Sequence, residues 1–278
     1  MGAALGWGIA DFAAGLSARR IGVVRTIFGM QMVGGSLLAL TLFVLGRWPV
    51  IPPATMVAGA GIAFFGALVL AALYRALALG PISVVSPVTA GYLAITVVLV
   101  VIFLGEQLNA GQVAAIVAVF LGVLLTATDF RVLAQTLGRP LPGVRLALLC
   151  MVGFGVWQAL FAWLLRDHDG FALILMLRIS SACMCGLAVL RAAPAPGPLN
   201  RGTFLLIAAV GIFDTLANVS FFLGVEQGYA SIVATGSGIY SVIPALLAIV
   251  LLRERLAPNQ YAGIAVLVAG LVGLGLSG

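Results

Sequence analysis

Long apolar runs alternate with short polar punctuation along the whole chain. A helix needs about 20 residues to cross a ~30 Å hydrocarbon layer. Charges, prolines and glycines delimit ten runs of about that length: 2–18, 25–45, 55–77, 82–104, 110–128, 143–165, 170–190, 203–224, 229–252 and 258–277. Lipid offers backbone N–H and C=O groups no partners, so each run is expected to be a helix. The connections are too short for an extramembrane domain, and the longest, near 129–145, divides the chain at its middle. The expected organisation is five spans in 1–128 and five in 143–278, within a single membrane domain. No Lys or Arg precedes Arg19. The first run therefore lacks the basic start of a signal peptide and is expected to be a retained span.

The halves repeat. GPISVVSPVTAGYLAITVVLVVIFLGEQLNAGQ from Gly80 aligns without a gap on GYASIVATGSGIYSVIPALLAIVLLRERLAPNQ from Gly228, at an offset of 148 residues. Matched Leu and Ala carry little information in apolar helices. Matched polar or rare residues carry more, and here Ser83 meets Ser231, Tyr92 meets Tyr240, Glu106 meets Glu254 and Gln112 meets Gln260. A weaker echo at offset 147 sets Leu5-Gly6-Trp7-Gly8 against Val152-Gly153-Phe154-Gly155. An odd number of spans per copy makes the second copy enter from the opposite side. The expected architecture is an all-α membrane protein of two inverted five-helix repeats, with a solute site near the midplane between them.

Composition then narrows the function classes. Of 278 residues, 63% are hydrophobic and 8% charged, and mean hydropathy is +1.24. Soluble domains carry about 25% charged residues. A soluble enzyme, a disordered chain and a nucleic-acid binder are thereby excluded. The net charge of +6 comes with fourteen arginines and no lysine, and they form no single patch. Apart from the mid-span Arg178 they divide by loop parity: eleven fall at the odd connections and only Arg47 and Arg166 at the even ones. By the positive-inside rule the odd side is expected to be cytoplasmic and both termini on the other side. Cys150, Cys183 and Cys185 lie in apolar runs and are expected to be small buried hydrophobes. No metal-ligand cluster and no cofactor motif appears, and without a phosphate-binding loop ATP is not the direct drive.

Trp7-Gly8, Ser86-Pro87, the Leu-Gly-Glu-Gln-Leu stretch ending at Leu108 with Gly111-Gln112, and their echo Leu252-Arg253-Glu254-Arg255-Leu256 with Asn259-Gln260 resemble the drug/metabolite transporter superfamily in its ten-helix EamA-type branch. The resemblance implies a carrier in the inner membrane that exports small metabolites, amino acids among them. Asp11 after the Trp-Gly departs from that pattern.

Charges within the hydrocarbon layer cost about 2.5–3.5 kcal/mol on insertion scales, so they need a reason. Three fall mid-span: Asp11, Arg178 and Asp214, with Asn218 one turn after Asp214. Either carboxylate is read as a protonatable or amine-binding group facing a central cavity; the alternative is that one of them neutralises Arg178. Asp214 is the favoured of the two, and Arg178 is read as structural, its other role being to hold a substrate carboxylate. Trp7, Tyr92, Trp157, Gln158, Ser237 and Tyr240 complete the expected solute site, with Ser86, Thr89 and Thr235 adding hydroxyls. Pro87, Gly236, Gly238 and Pro244 are expected to kink spans 4 and 9 beside the path. Glu106 and Glu254 are read as capping or gate-side residues, with Arg253 and Arg255 as salt-bridge neighbours, and His168 as a solvated loop residue.

The reading is a secondary-active or facilitative transporter working by alternating access, with a proton or the solute gradient as the drive. The alternatives are a cationic-drug extruder and a sugar-nucleotide or phosphate-ester carrier. An intramembrane enzyme would need a nucleophile with a base or a metal cluster, and the single His and the missing motifs leave neither.

Overall fold

The computed structural model describes residues 2–47, 52–104, 109–127, 143–165, 168–191, 197–198, 200–226 and 239–277. All regular structure among them is helical: α1 (Gly2–Ile21), α2 (Val23–Val44), α3 (Pro53–Leu79), α4 (Ile82–Ala90), α5 (Tyr92–Leu104), α6 (Ala110–Ala127), α7 (Val144–Leu165), α8 (Gly170–Arg191), α9 (Arg201–Glu226), α10 (Val242–Leu251) and α11 (Pro258–Leu276), with a 3₁₀ turn at Ile239–Ser241. Six described helices, α2, α3, α7, α8, α9 and α11, contain apolar windows long enough to cross a membrane. Span 4 is split into α4 and α5, and the described part of span 9 is the 3₁₀ turn with α10.

The main contacts between the two halves come in pairs that exchange when the halves are exchanged. α1 lies on α9 and α7 on α3; α2 lies on α9 and α8 on α3; α4 and α5 lie on α7, and α10 lies on α1. The pairs α2–α8, α4–α10 and α6–α11 each join a span to its own repeat partner, and within the first half α1 also lies on α3, a contact without a comparable counterpart between α7 and α9 among the described residues. Glycine positions show the same relation at atomic scale. A Cβ on Gly8 would come within 2.5 Å of Ile243 and 3.0 Å of the Tyr240 carbonyl. A Cβ on Gly155 would come within 2.5 Å of Ile95 and 3.2 Å of the Tyr92 carbonyl. Glycine is needed at both places because two backbones approach closely there.

The α6–α11 pair fixes the inversion. Asn109 Nδ2 at the start of α6 donates to the carbonyl of Ser277 just past α11 (2.8 Å). Gln260 Nε2 at the start of α11 donates to the carbonyl of Thr126 at the end of α6 (3.1 Å). Each helix thus begins where its counterpart ends, so the equivalent spans run antiparallel. The two N-termini are capped alike: Gln112 and Gln260 accept the N–H groups of Asn109 and Ala257, at 2.9 Å each. That satisfies donors a helix start leaves orphaned.

The prolines behave differently from expectation. Pro87 lies within α4, yet the helix continues to Ala90 and breaks at Gly91, four residues later. Pro244 does not kink a helix; it is the third residue of α10, in the first turn, where a missing N–H breaks no intrahelical bond. Gly236 and Gly238 lie outside the described residues.

Candidate functional site

Between the repeats lies a cavity of about 850 Å³. Its walls come from α1, α2, α3, α5, α6, α7, α8, α9, α11 and the 3₁₀ turn. Trp7, Asp11, Tyr92, Trp157, Gln158, Asp214, Asn218 and Tyr240 all line it. Ser237 and Thr235 lie outside the described residues. Ser86 and Thr89 do not line the cavity: α4 is buried throughout, Thr89 Oγ1 donates back to the Val85 carbonyl at 2.9 Å, and Ser86 Oγ has no partner among the described residues. The path is lined by α5, not α4.

One wall is polar. Arg178 Nη2 donates to Asp214 Oδ2 in an ion pair, and Nη1 donates to Gln31 Oε1 (3.2 Å). Gln31 Nε2 donates to Ser181 Oγ (3.0 Å), and Asn218 Nδ2 donates to the Asp214 carbonyl (2.7 Å) and carboxylate (3.2 Å). Side-chain exposure is 5% for Arg178 and 17% for Asp214, so the guanidinium sits behind its partner. A buried pair neutralises a charge that would otherwise be costly in this layer. Asp214, the carboxylate favoured from sequence, is therefore the one that neutralises Arg178. Asp11 has no cation and no hydrogen-bond donor among the described residues.

Aromatic side chains line the cavity in two related groups, beside an aliphatic wall from α3. Trp7 meets Tyr240 edge-on (6.3 Å) and Phe221 at a tilt (5.6 Å). Phe154, the counterpart of Trp7, meets Tyr92 (5.8 Å) and Trp157 (6.5 Å), and Trp157 stacks on Phe161 at 5.3 Å. A Cβ on Gly66 would clash with the Trp157 indole, so that glycine is the notch in which the ring lies. Asp11 follows Trp7 by one turn, and Gln158 follows Phe154 by one turn, so the two occupy equivalent places on the two sides.

Gln31, Thr96, Phe154, Phe161, Ser181 and Phe221 line the cavity without having been singled out. Gln31 had a signal: it stands 147 residues before Arg178, the offset of the weak echo, and the two bond across the axis. Phe154 had one too, as the counterpart of Trp7 in that echo, whereas Phe161 and Phe221 in their apolar runs carry no such mark.

At the opposite end the bundle is packed. Arg19 donates from Nη2 to the carbonyls of Leu77 (2.9 Å) and Gly80 (2.7 Å), where α3 ends. The Glu254 carboxylate accepts from the Ser83 N–H (2.9 Å), Ser83 Oγ (2.5 Å) and the Ile82 N–H (3.2 Å), where α4 begins. A cation at a helix C-terminus and an anion at an N-terminus both suit the helix dipole. Glu254 is thus a cap on the other repeat rather than a salt-bridge partner of Arg253 and Arg255. Arg253, at φ 55°, adopts the left-handed conformation with which helices commonly end. Glu106 lies outside the described residues.

His168 lies outside the helices as expected but is half-buried rather than fully solvated, with Nε2 2.8 Å from Thr55 Oγ1 and Nδ1 3.1 Å from the Leu164 carbonyl. Cys150 and Cys185 are buried as expected, whereas Cys183 is exposed.

The sequence model of the EamA-like transporter family matches residues 1–128 and 141–276. The chain belongs to that family. It is a multi-pass membrane transporter of small solutes, as EamA-like proteins are, and not a chain whose family is enzymatic. A solved crystal structure is similar over 99% of this chain and 95% of its own length, with a TM-score of 0.69 at 17% identity, a likeness of fold alone. Among curated proteins nothing matches.

Proposed function

We propose that this EamA-like protein exports small metabolites, above all amino acids with aromatic or apolar side chains, by alternating access through the central cavity. The observation that supports this most is the cavity itself: about 850 Å³, lined by two aromatic groups and by aliphatic side chains of α3 and α11, with one polar wall, between two inverted repeats. That combination suits an amphipathic solute of amino-acid size. The arginine distribution supports a cytoplasmic odd side and an inner-membrane location, so the packed end faces the cytoplasm and the cavity reaches toward the outer face. The five-span units 1–128 and 143–278 are the bodies proposed to rock. Drive by a proton remains part of the reading, and Asp11 is better placed for it than the paired Asp214. Asp11 also favours a second reading, the extrusion of cationic solutes. A sugar-nucleotide or phosphate-ester carrier is disfavoured, because Arg178 is the one cation lining the cavity among the described residues and it is already paired.

Uptake into proteoliposomes with a panel of amino acids, nucleosides and cationic drugs tests this. Saturable counterflow of an apolar amino acid is the expected result; transport of none of the amino acids would overturn it.

A further inference from the structure

The charged groups lining the cavity are Asp11, Arg178 and Asp214 among the described residues. Arg178 and Asp214 cancel, and Arg178 is further occupied by Gln31. What is left over is the Asp11 carboxylate, beside Trp7 on its own helix face, with Tyr92 and Tyr240 on the same cavity. A carboxylate flanked by π-faces is the pairing that holds an ammonium group, because ring quadrupoles and the anion attract the same charge. Across the pseudo-twofold axis the equivalent place beside Phe154 and Tyr92 carries Gln158, an uncharged amide. The cavity therefore has two aromatic subsites of the same construction and different charge.

We propose that Asp11 is an ammonium subsite, that Gln158 receives the uncharged end of the solute, and that a positively charged amine is the obligatory group on the substrate while a carboxylate is dispensable. This rests on the transporter reading above and specifies its substrate class. The solute lies across the axis in one orientation, amine toward the first repeat. Arg178 takes no direct part in binding, because a substrate carboxylate would have to displace Asp214 from it.

Three probes of one shape separate the possibilities: phenylalanine, 2-phenylethylamine without the carboxylate, and 3-phenylpropionate without the amine. Binding to the purified protein is read from the fluorescence of Trp7 and Trp157 in the cavity. The amine is expected to bind within about tenfold of the amino acid, and the acid at least tenfold more weakly than either. Asp11→Asn should lower binding of both amine-bearing probes by tenfold or more, and Asp11→Glu should retain most of it. The double variant Asp11→Asn/Gln158→Glu, which moves the carboxylate across the axis, should regain binding. Equal binding of the acid, or unaltered amine binding in folded Asp11→Asn, overturns the ammonium subsite and leaves the transporter reading standing. If no probe binds at millimolar concentration, both fall.

Discussion

Where α3 turns into α4, Ile21, Ala76, Leu77 and Ile82 are fully buried, and Arg19, Glu254 and the start of α7 close on the turn. Gly143, at φ 80°, lies so close there that a Cβ would come within 2.6 Å of the Ala76 carbonyl. Toward the other end the cavity reaches Gln112 and Gly275, near the α6 start and the α11 end. Between the halves the repeats pack by equivalent pairs, so in the proposed function the difference between the two ends is one of state. A pseudo-symmetric carrier closed equally at both ends would hold its solute, and one open at both would leak. In the alternating-access reading, exchanging the conformations of the repeats exchanges the two ends.

The α6–α11 pair treats both ends alike, and breaking it should have the largest effect. A Cβ at Gly122 would run into the backbone of Leu267, and one at Gly270 into the backbone of Val119. Neither backbone can move without separating the helices. Gly122→Val is expected to abolish the folded protein, read as loss of the monodisperse peak in detergent chromatography. A normal peak would mean that this pair is not what joins the ends.

Next in size is the polar wall on the cavity side. Arg178→Ala leaves the Asp214 carboxylate without its cation, and breaking a buried pair costs about 3–5 kcal/mol. The thermal unfolding midpoint in detergent should fall clearly. The double variant with Asp214→Ala should recover part of the loss, since the two changes share one interaction. Purely additive losses would show that the pair is not coupled.

Sequence carried the frame further than the site. Span positions were legible because lipid punishes every charge and every unpaired backbone group, and residues 55–77 or 170–190 have few ways to be anything but helix. The inversion followed from an odd span count, and Asn109 and Gln260 now show it directly. Eight proposed cavity residues do line the cavity because a polar or aromatic side chain in such a run faces protein more cheaply than lipid. Pairing was not legible. Whether Asp11 or Asp214 neutralises Arg178 depends on how the helices meet: Asp214 lies on α9, the helix after α8, whereas Asp11 lies on α1 in the other half. The break at Gly91, rather than at Pro87, likewise depends on Met151 and Val123, which crowd that glycine from other helices.

The packed end offers a smaller and more specific test. Glu254 accepts three hydrogen bonds at the start of α4, and bonds to a charged group contribute about 1.5–3 kcal/mol each, less when an amide replaces the carboxylate. Glu254→Gln should raise the population open at that end by about tenfold, which corresponds to about 1.4 kcal/mol. A cysteine at Leu77, in a background without Cys150, Cys183 and Cys185, reports this as faster labelling by a membrane-impermeant thiol reagent. An unchanged labelling rate would mean that packing at Ile21 and Ile82, not the cap, holds the end shut.

The finest change sits in the cavity wall. Trp157 rests in the notch at Gly66, where an added Cβ would fall within 2.9 Å of the indole Cδ1, and its Nε1–H has no partner among the described residues to hold it there. Gly66→Ala should push the ring into the cavity while leaving the packed end untouched. Removing room for about one methylene in a site is worth about 1–3 kcal/mol. Large aromatic solutes should therefore lose at least tenfold in binding, and small apolar ones, such as alanine or valine, little. Thiol labelling at Leu77 should stay at its original rate. If all solutes weaken together and labelling also rises, the notch acts on the balance between the two ends, and Trp157 is part of the moving wall rather than a fixed limit on solute size.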